Sequence, residues 1–544
     1  MNFFTILFSI FLGGVLSFTQ APYHVFWLVF ITVPIIIHLL AECSARRWAF
    51  FIGWGFGFGY FLVTLCWIGD AFLVYEKSVW MYPFIIVLGP MLLAIYWGLV
   101  FAIFFWLAFC DRTKSREKSE RNIQSYRHKK FRSWRNVDTL LFASLWMAGE
   151  YCRCKITFIG FPWALLGYVW IETPVSQILS IVGIHGLGWL TVVVSGLLYT
   201  GIQSLNRNRF STGMKGKRIV FLYILIPIFS VGGFWIWGKW RVSSEDNIEN
   251  QVERYLSVRI VQPNITQAEK WKSENKEPII RILSELMQKN TEQEFPDVIV
   301  LPEAALPFLF QDESLLFSIM TSRIPKETHI IFGNLRYDEQ FKWYNSIYSI
   351  NRDEGRIDLE IYDKHKLVIL GEYVPLFSLL KKLRLTDFFG IDGNIESSKR
   401  DYHDDILEVS DSVRIRPAIC YEAVFPEFFR LPKQYDIILQ ITNDAWFGRS
   451  RGPLQHFSYV RARAIEQGVS LVRVANTGIS GVINRKGRVL AILPLGERGV
   501  IDMDVPYGAP RTIYSKIGNM LFFVCLFSSF INLKWSSRRS TQYK

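Results

Sequence analysis

Apolar residues along the 544-residue chain fall into two regimes. Long, nearly unbroken apolar runs fill residues 1–238 and return at 513–533, whereas 239–512 alternates short apolar runs with charged turns. A hydrocarbon core takes roughly 20 apolar helical residues to cross. Eight runs approach that length, at 2–18, 23–40, 49–69, 83–109, 137–153, 175–203, 219–238 and 513–533. The first has no basic leader and no convincing small-residue cleavage site, so it reads as a span rather than a signal peptide. The sixth is long, contains His185 and several glycines, and predicts a tilted or partly interfacial helix.

In the middle region the period changes. Apolar runs at 256–261, 298–301, 329–332, 346–351, 413–419, 437–441, 471–474 and 489–493 predict strands, and 278–289 and 452–467 predict helices. Strands interleaved with helices and hairpins predict a layered α/β domain. The expected organisation is a membrane domain of seven spans (1–238), a soluble catalytic domain (239–512), and an eighth span with a basic tail (513–544).

Charge changes the picture only once it is located. A net charge of +13 resembles a nucleic-acid binder, but residues 239–512 hold 36 Lys and Arg against 39 Asp and Glu. The excess sits between the apolar runs and in the tail, which suits solvated loops and argues against nucleic acid. With the N-terminus inside, Arg46, Arg47, ten Lys/Arg from Arg112 to Arg135, five from Arg207 to Arg218, and four after residue 533 lie on the inner side. The short outer loops hold only Lys77 and Lys155. That asymmetry predicts that 239–512 folds on the outer side of the membrane.

Of seven cysteines, only Cys420 lies away from the apolar runs, so the soluble domain has no partner for an internal disulfide. Cys152 and Cys154 are too close for a CxxC pair, and no His or Cys spacing suits a metal, so no cofactor is expected. Three apolar stretches each deliver a polar residue at their carboxyl end: Glu303 after 298–302, Lys364 after 361–363, and Cys420 after 415–419. Clefts form at the carboxyl ends of strands in α/β sheets. A thiol must lose its proton to attack a carbonyl, a carboxylate can take it, and a lysine stabilises thiolate and oxyanion. The residue types suit nucleophilic acyl chemistry, although spacing alone does not bring them together.

The surrounding motifs resemble those of the nitrilase, or carbon–nitrogen hydrolase, superfamily, and the whole chain is similar to bacterial apolipoprotein N-acyltransferases. The matching stretches are Gly160-Phe161-Pro162-Trp163, Gln262-Pro263-Asn264-Ile265, Lys270-Trp271, Leu301-Pro302-Glu303-Ala304, Tyr362-Asp363-Lys364 and Gly371-Glu372-Tyr373-Val374-Pro375. They continue with Cys420-Tyr421-Glu422, Phe425-Pro426-Glu427, Asn443-Asp444-Ala445-Trp446-Phe447-Gly448, Gln455-His456 and Asn476-Thr477-Gly478. The resemblance implies about eight transmembrane helices plus a nitrilase-like αββα sandwich with a Glu-Lys-Cys triad. Glu303 then matches the base, Lys364 the oxyanion-stabilising lysine, and Cys420 the nucleophile. Glu372 and Glu422 match supporting carboxylates, and Tyr421 the residue after the nucleophile. Trp271, Trp446 and Phe447 match aromatic positions tied to lipid handling or loop gating, and Trp163 matches an aromatic in the membrane-facing part of the family's cleft.

The implied activity is acyl transfer from a membrane phospholipid, through a Cys420 thioester, to the α-amine of a diacylglyceryl-cysteine apolipoprotein. The implied location is the bacterial inner membrane with the catalytic domain in the periplasm. A membrane-tethered amidase or nitrilase-type hydrolase is the alternative. The chain departs from the usual family stretch after the lysine: Lys366 stands for a His and Ile369 for a Pro. This leaves Lys366 as an alternative cation and the neighbouring lid shape open.

Other polar residues carry ordinary readings beside functional ones. His456 is expected to make a structural hydrogen bond, since a Glu-Lys-Cys set gives it no catalytic role. Asn443 and Asp444 suit a turn, with Asn443 also a candidate for lining the cleft. Glu150 and Arg153, near a span end, are expected either to pair with each other or to meet a lipid headgroup.

Overall fold

The structure is a computed structural model that describes residues 3–542, apart from 75, 121–133, 156–159, 209–213, 244–253, 268, 290–293, 353–357, 370, 375–380, 383–394, 399, 402, 404 and 410–412. The chain forms two compact units. One comprises Met1–Cys66, Pro83–Arg241 and Ile517–Lys544; the other comprises Trp67–Tyr82 and Val242–Lys516.

The first unit is helical. α1 (Phe3–Ser17), α2 (Val29–Ala41), α3 (Arg46–Leu65), α4 (Tyr82–Glu120), α5 (Asn136–Lys155), α6 (Leu179–Asn208), α7 (Met214–Ser243) and a C-terminal helix (Met520–Gln542) stand at the eight apolar runs. Among the described residues, Arg46–Leu73, Ser78–Phe109, Pro174–Leu205 and Phe221–Ser243 are long and apolar enough to cross a membrane. Phe3–Ser17, Phe26–Ala41 and Met520–Asn532 are shorter apolar helices. Without a hydrophobic drive between helices in lipid, small residues allow close backbone approach. Gly59 of α3 does so against α1, where a Cβ would come within 1.9 Å of the Ile10 carbonyl oxygen. α6 breaks at Gly183 (φ 67°), which takes up its excess length as a kink.

Glu150 and Arg153 on α5 serve the backbone. Glu150 accepts from Trp146 Nε1 at 3.1 Å and from the Leu166 N–H at 3.2 Å. Arg153 donates to the carbonyls of Phe161 at 2.9 Å and Trp163 at 2.6 Å. Together they tie α5 to the chain that follows it, so irregular backbone is satisfied where water is scarce. The side chains of residues 110–133, 206–220 and 533–544, which carry most of the inner-side charge, lie outside the described residues.

The second unit has two six-stranded sheets. The first contains β1 (Arg254–Gln262), β2 (Val298–Val300), β3 (His329–Tyr337), β4 (Trp343–Asn351), β5 (Asp358–Asp363) and β12 (Gly499–Tyr507), in the order β12-β1-β2-β3-β4-β5. The second contains β6 (Leu407–Val409), β7 (Val413–Ile419), β8 (Ile437–Thr442), β9 (Ser470–Ala475), β10 (Ser480–Ile483) and β11 (Val489–Leu493), in the order β11-β10-β9-β8-β7-β6. In each, three parallel strands continue into two antiparallel ones: β1-β2-β3 into β4-β5, and β7-β8-β9 into β10-β11. The sheets stack with β1 against β9 and β10. α8 (Lys276–Met287) and α9 (Ser314–Met320) cover the first sheet, with Leu283 and Phe317 in one buried cluster with Ile299 and Phe332. α10 (Arg451–Gln467), buried along most of its length, covers the second sheet. The layers are helix, sheet, sheet, helix.

Candidate active site

Three strand ends supply the three candidate groups. Glu303 follows β2, Lys364 follows β5, and Cys420 follows β7. Two of these ends carry strained backbone: Ala304, next to Glu303, has φ 47° and Cys420 has φ 49°. For residues with a Cβ, such conformations cost about 1–3 kcal/mol and persist only where the surroundings impose them. Gly333 on β3 lies directly against the first of these turns. A Cβ there would stand 2.7 Å from Glu303 Cα and 2.8 Å from Ala304 N, so only glycine lets the turn pass.

Lys364 lies between two carboxylates. Its Nζ is 2.8 Å from Glu372 Oε1 and 3.5 Å from Glu303 Oε1, with the lysine side chain 1% exposed. Asn345 on β4 braces the same pair, its Nδ2 donating to Glu303 Oε1 at 2.7 Å and to Glu372 Oε1 at 2.9 Å. The other Glu303 oxygen accepts the Asn443 N–H at 2.7 Å. Glu372 Oε2 accepts the Val368 N–H at 2.8 Å. Asn443 is fixed in turn: its Nδ2 donates to Gln267 Oε1 at 2.7 Å, and its Oδ1 accepts from Asn476 Nδ2 at 3.0 Å.

Glu422 has a different position. Its Oε2 accepts from the Tyr362 hydroxyl and the Ile419 N–H, both at 2.7 Å, and its Oε1 accepts from the N–H groups of His365 at 2.7 Å and Lys366 at 3.1 Å. One buried carboxylate therefore ties the end of β5 to the turn after β7. Lys366 points its ammonium at the Phe425 ring, 5.9 Å from the centroid, while Lys364 meets Glu303. Of the two candidate cations, the structure brings Lys364 to the carboxylates. Ile369 bridges to Tyr373, and the Pro375 end of that motif lies outside the described residues.

The electrostatics of these groups follow from burial and mutual charge. Burial pushes the Cys420 thiol up, Glu303 adds to this, and Lys364 opposes it; the net result is a thiol well above its ordinary value. Burial pulls the Lys364 ammonium down, but Glu372, Glu303 and Cys420 outweigh it and hold the group above the usual lysine range. Lys270 is 1% exposed. Burial pushes it down to about 8 against the opposing charge of Glu303.

The aromatic candidates take separate places. Trp271 is 45% exposed, and Trp446 and Phe447 are half-buried. Phe447 meets the ring of Trp67 edge-on, centroids 4.8 Å apart, and Trp67 Nε1 donates to Gln455 Oε1 at 3.0 Å. Tyr421 packs edge-on against Phe425. Trp163 is buried in the helical unit. His456 contacts the Asp444 carboxylate and the Cys420 carbonyl, as hydrogen-bonding structure rather than as a base on the thiol. Sequence reasoning did not single out Asn345, Gln267, Gln440 or Arg473. For Gln440 and Arg473 a signal existed, since each is a lone polar residue inside an apolar strand run.

The chain is similar to known proteins along most of its length. The profile of the apolipoprotein N-acyltransferase N-terminal domain matches residues 12–197, and that of the carbon-nitrogen hydrolases matches residues 257–511. The apolipoprotein N-acyltransferase of Rhodopseudomonas palustris is 32% identical over 530 residues, covering 93% of this chain and 90% of that protein. That of Brucella melitensis is 30% identical over 555 residues, covering 97% and 95%. Among solved structures, the carbon-nitrogen hydrolase from Helicobacter pylori G27 is similar over 46% of this chain and 89% of its own, at 14% identity and a TM-score of 0.34. With a relative more than 30% identical along nearly its whole length, this chain belongs to the apolipoprotein N-acyltransferase family.

Proposed function

We propose that the protein transfers an acyl chain from a membrane phospholipid to the N-terminal α-amine of a diacylglyceryl-cysteine lipoprotein, with Cys420 carrying the chain as a thioester. The observation that carries this reading is the meeting of Lys364 with Glu303 and Glu372 beside the strained Cys420 turn. In the first half-reaction Glu303 takes the thiol proton as sulfur attacks the ester carbonyl. Lys364 faces the negative charge that grows on the carbonyl oxygen. The tetrahedral intermediate collapses, the C–O bond breaks, and the proton held by Glu303 passes to the departing lysophospholipid alkoxide. In the second, Glu303 accepts a proton from the acceptor amine as nitrogen attacks the thioester. The C–S bond breaks, and the proton returns to the Cys420 sulfur. Two half-reactions through one covalent intermediate predict ping-pong kinetics.

Four helices long and apolar enough to cross a membrane, three shorter apolar ones among the described residues, and the family's name support a bacterial membrane protein. The distribution of Lys and Arg between loops supports an inner-membrane placement with the catalytic unit in the periplasm. The test is intact-protein mass spectrometry of the purified chain after exposure to phospholipid. An acyl-sized mass gain on the wild type that is absent from Cys420→Ala is the expected result. A gain that persists in Cys420→Ala would remove Cys420 from its role. Fatty acid release with no acylation of an added lipopeptide would favour the hydrolase alternative.

A further inference from the structure

The turn that presents Cys420 rests on a set of buried polar groups that the acyl-transfer steps do not use. Its carbonyl oxygen is 3.0 Å from Gln440 Nε2 and 3.1 Å from His456 Nε2. Gln440 Nε2 and His456 Nε2 are 2.9 Å apart. His456 Nδ1 faces Asp444 Oδ1 at 3.1 Å, and Thr442 Oγ1 donates to the same oxygen at 3.1 Å. Arg473 joins the two branches, with Nη2 on Asp444 Oδ2 at 2.6 Å and Nη1 on Gln440 Oε1. Gln440 and Arg473 are 0% exposed, Asp444 1% and His456 4%.

Arg473 fixes the orientation of the Gln440 amide. An arginine only donates, so the Gln440 oxygen must face Arg473 and its amide nitrogen must face the other way. That nitrogen has two hydrogens and two neighbours, the Cys420 carbonyl and His456 Nε2. His456 Nε2 lies 3.1 Å from the same carbonyl, and Nδ1 faces Asp444 at 3.1 Å and Arg473 Nη2 at 3.4 Å, so the ring is held at both nitrogens in either tautomer. Burial first, then Arg473, pushes His456 below its ordinary pKa, in keeping with a neutral ring. Burial alone would raise Asp444, but Arg473 and His456 hold it down to about 2, so it remains an acceptor for Arg473 and Thr442. The circuit closes through Arg473, which meets both Gln440 and Asp444.

We infer that Arg473, Asp444, His456 and Gln440 form a closed circuit that holds the Cys420 carbonyl, making Gln440 and His456 positioning residues for the acylation step. The inference rests on the reading of Cys420 as the acyl-carrying nucleophile. Cys420 has φ 49°, a conformation a residue with a Cβ leaves unless something holds it. Gln440 grips the carbonyl on the buried side. Because a trans peptide is planar, fixing that oxygen also fixes the Tyr421 N–H in the opposite direction. The circuit thus sets the orientation of the peptide joining nucleophile and neighbour, while none of its side chains acts on the proton or the acyl group.

The test compares Gln440→Met, His456→Leu and His456→Gln with wild type in the full-length purified chain. Methionine keeps the volume of Gln440 and removes both donors; glutamine at 456 can still accept from Gln440 and donate to Asp444. Three quantities are read: the rate of thioester formation from phospholipid, the KM for that lipid, and the rate of Cys420 alkylation by iodoacetamide. Alkylation builds no oxyanion and tolerates a misaligned turn. The expected result is a loss of about 100-fold in thioester formation for Gln440→Met and His456→Leu, the order expected for a small misplacement of reacting groups. KM and alkylation should stay within about threefold, and His456→Gln should recover part of the rate. Wild-type thioester rates in Gln440→Met and His456→Leu would overturn the inference, as would a parallel fall in thioester formation and alkylation. If either of those variants fails to fold, His456→Gln decides: no loss, or a loss shared by alkylation, rejects positioning. If the wild type forms no thioester at all in this assay, the functional reading itself fails.

Discussion

At the scale of single residues, the thiol and its neighbours differ from a preformed ion pair. Burial and the charge of Glu303 raise Cys420, so at neutral pH it rests as a thiol, and in the proposed reaction its proton leaves as attack begins. The rate of Cys420 alkylation should therefore climb with pH from 6 to 9 without levelling, by about tenfold per unit, because only the thiolate reacts. A plateau below pH 8 in a stopped-time alkylation series would show a stabilised thiolate instead. Lys270 gives a second signature. Burial pushes it down to about 8 in the folded chain, below the unfolded value of about 10.4. Between those values the unfolded chain binds more protons, so stability rises with pH across that window. Lys270→Met removes this penalty. The variant should melt at higher temperature than wild type near pH 7, and the gap should narrow as pH rises from about 8 to 10.4. A gap that is constant with pH would contradict the assignment.

At the scale of elements, the site depends on how strand ends are fastened. Glu422 accepts four hydrogen bonds and joins the end of β5 to the turn after β7. Glu422→Gln turns one acceptor edge into a donor facing donors, at about 1–3 kcal/mol for a buried group left unpaired. We expect a lower melting temperature together with slower thioester formation; a variant with normal stability and rate would show that the strap is dispensable. Gly333→Ala probes the turn after β2. Its Cβ meets the Glu303 and Ala304 backbone, so activity should fall about 100-fold while folding survives. Normal activity in that variant would mean that the turn moves freely.

The same scale shows what the sequence could reveal. β1–β4 and β7–β9 were legible because each buries a short apolar run, and β11 because its run is apolar throughout, although the strand is only half-buried. β12 was not, because Asp502, Asp504 and Pro506 give it the look of a loop. Asp502 belongs there because it pairs with Arg259 on β1, Nε to Oδ1 at 2.6 Å, and Arg259 is itself 3% exposed. Glu303, Lys364 and Cys420 were legible as polar residues closing apolar strands. Asn345 was hidden, since a polar side chain in mid-strand looks the same in sequence whether it faces water or a catalytic carboxylate.

At the scale of the whole molecule, the proposed reaction places the catalytic unit on one side of the bilayer only. Alkaline phosphatase, which needs an oxidising compartment, should be active when fused after residue 248 and inactive when fused after residue 212. The reverse pattern would invert the proposed topology. Trp67–Tyr82, which lies between α3 and α4 in sequence, forms part of the catalytic unit. Hydropathy counts most of this stretch, up to Leu73 and again from Ser78, with the flanking apolar helices, whereas its contacts put it in the sheet-bearing unit.

The most direct measurement runs both half-reactions on one sample. The purified chain is loaded with phospholipid bearing an isotopically labelled acyl chain, freed of unbound lipid, and then given a diacylglyceryl-cysteine peptide. The labelled mass should leave Cys420 and appear, one for one, as an amide on the α-amine of the peptide. Label released as free fatty acid with the peptide unmodified, or N-acylated peptide formed while Cys420 never carries the label, would contradict the proposed reaction.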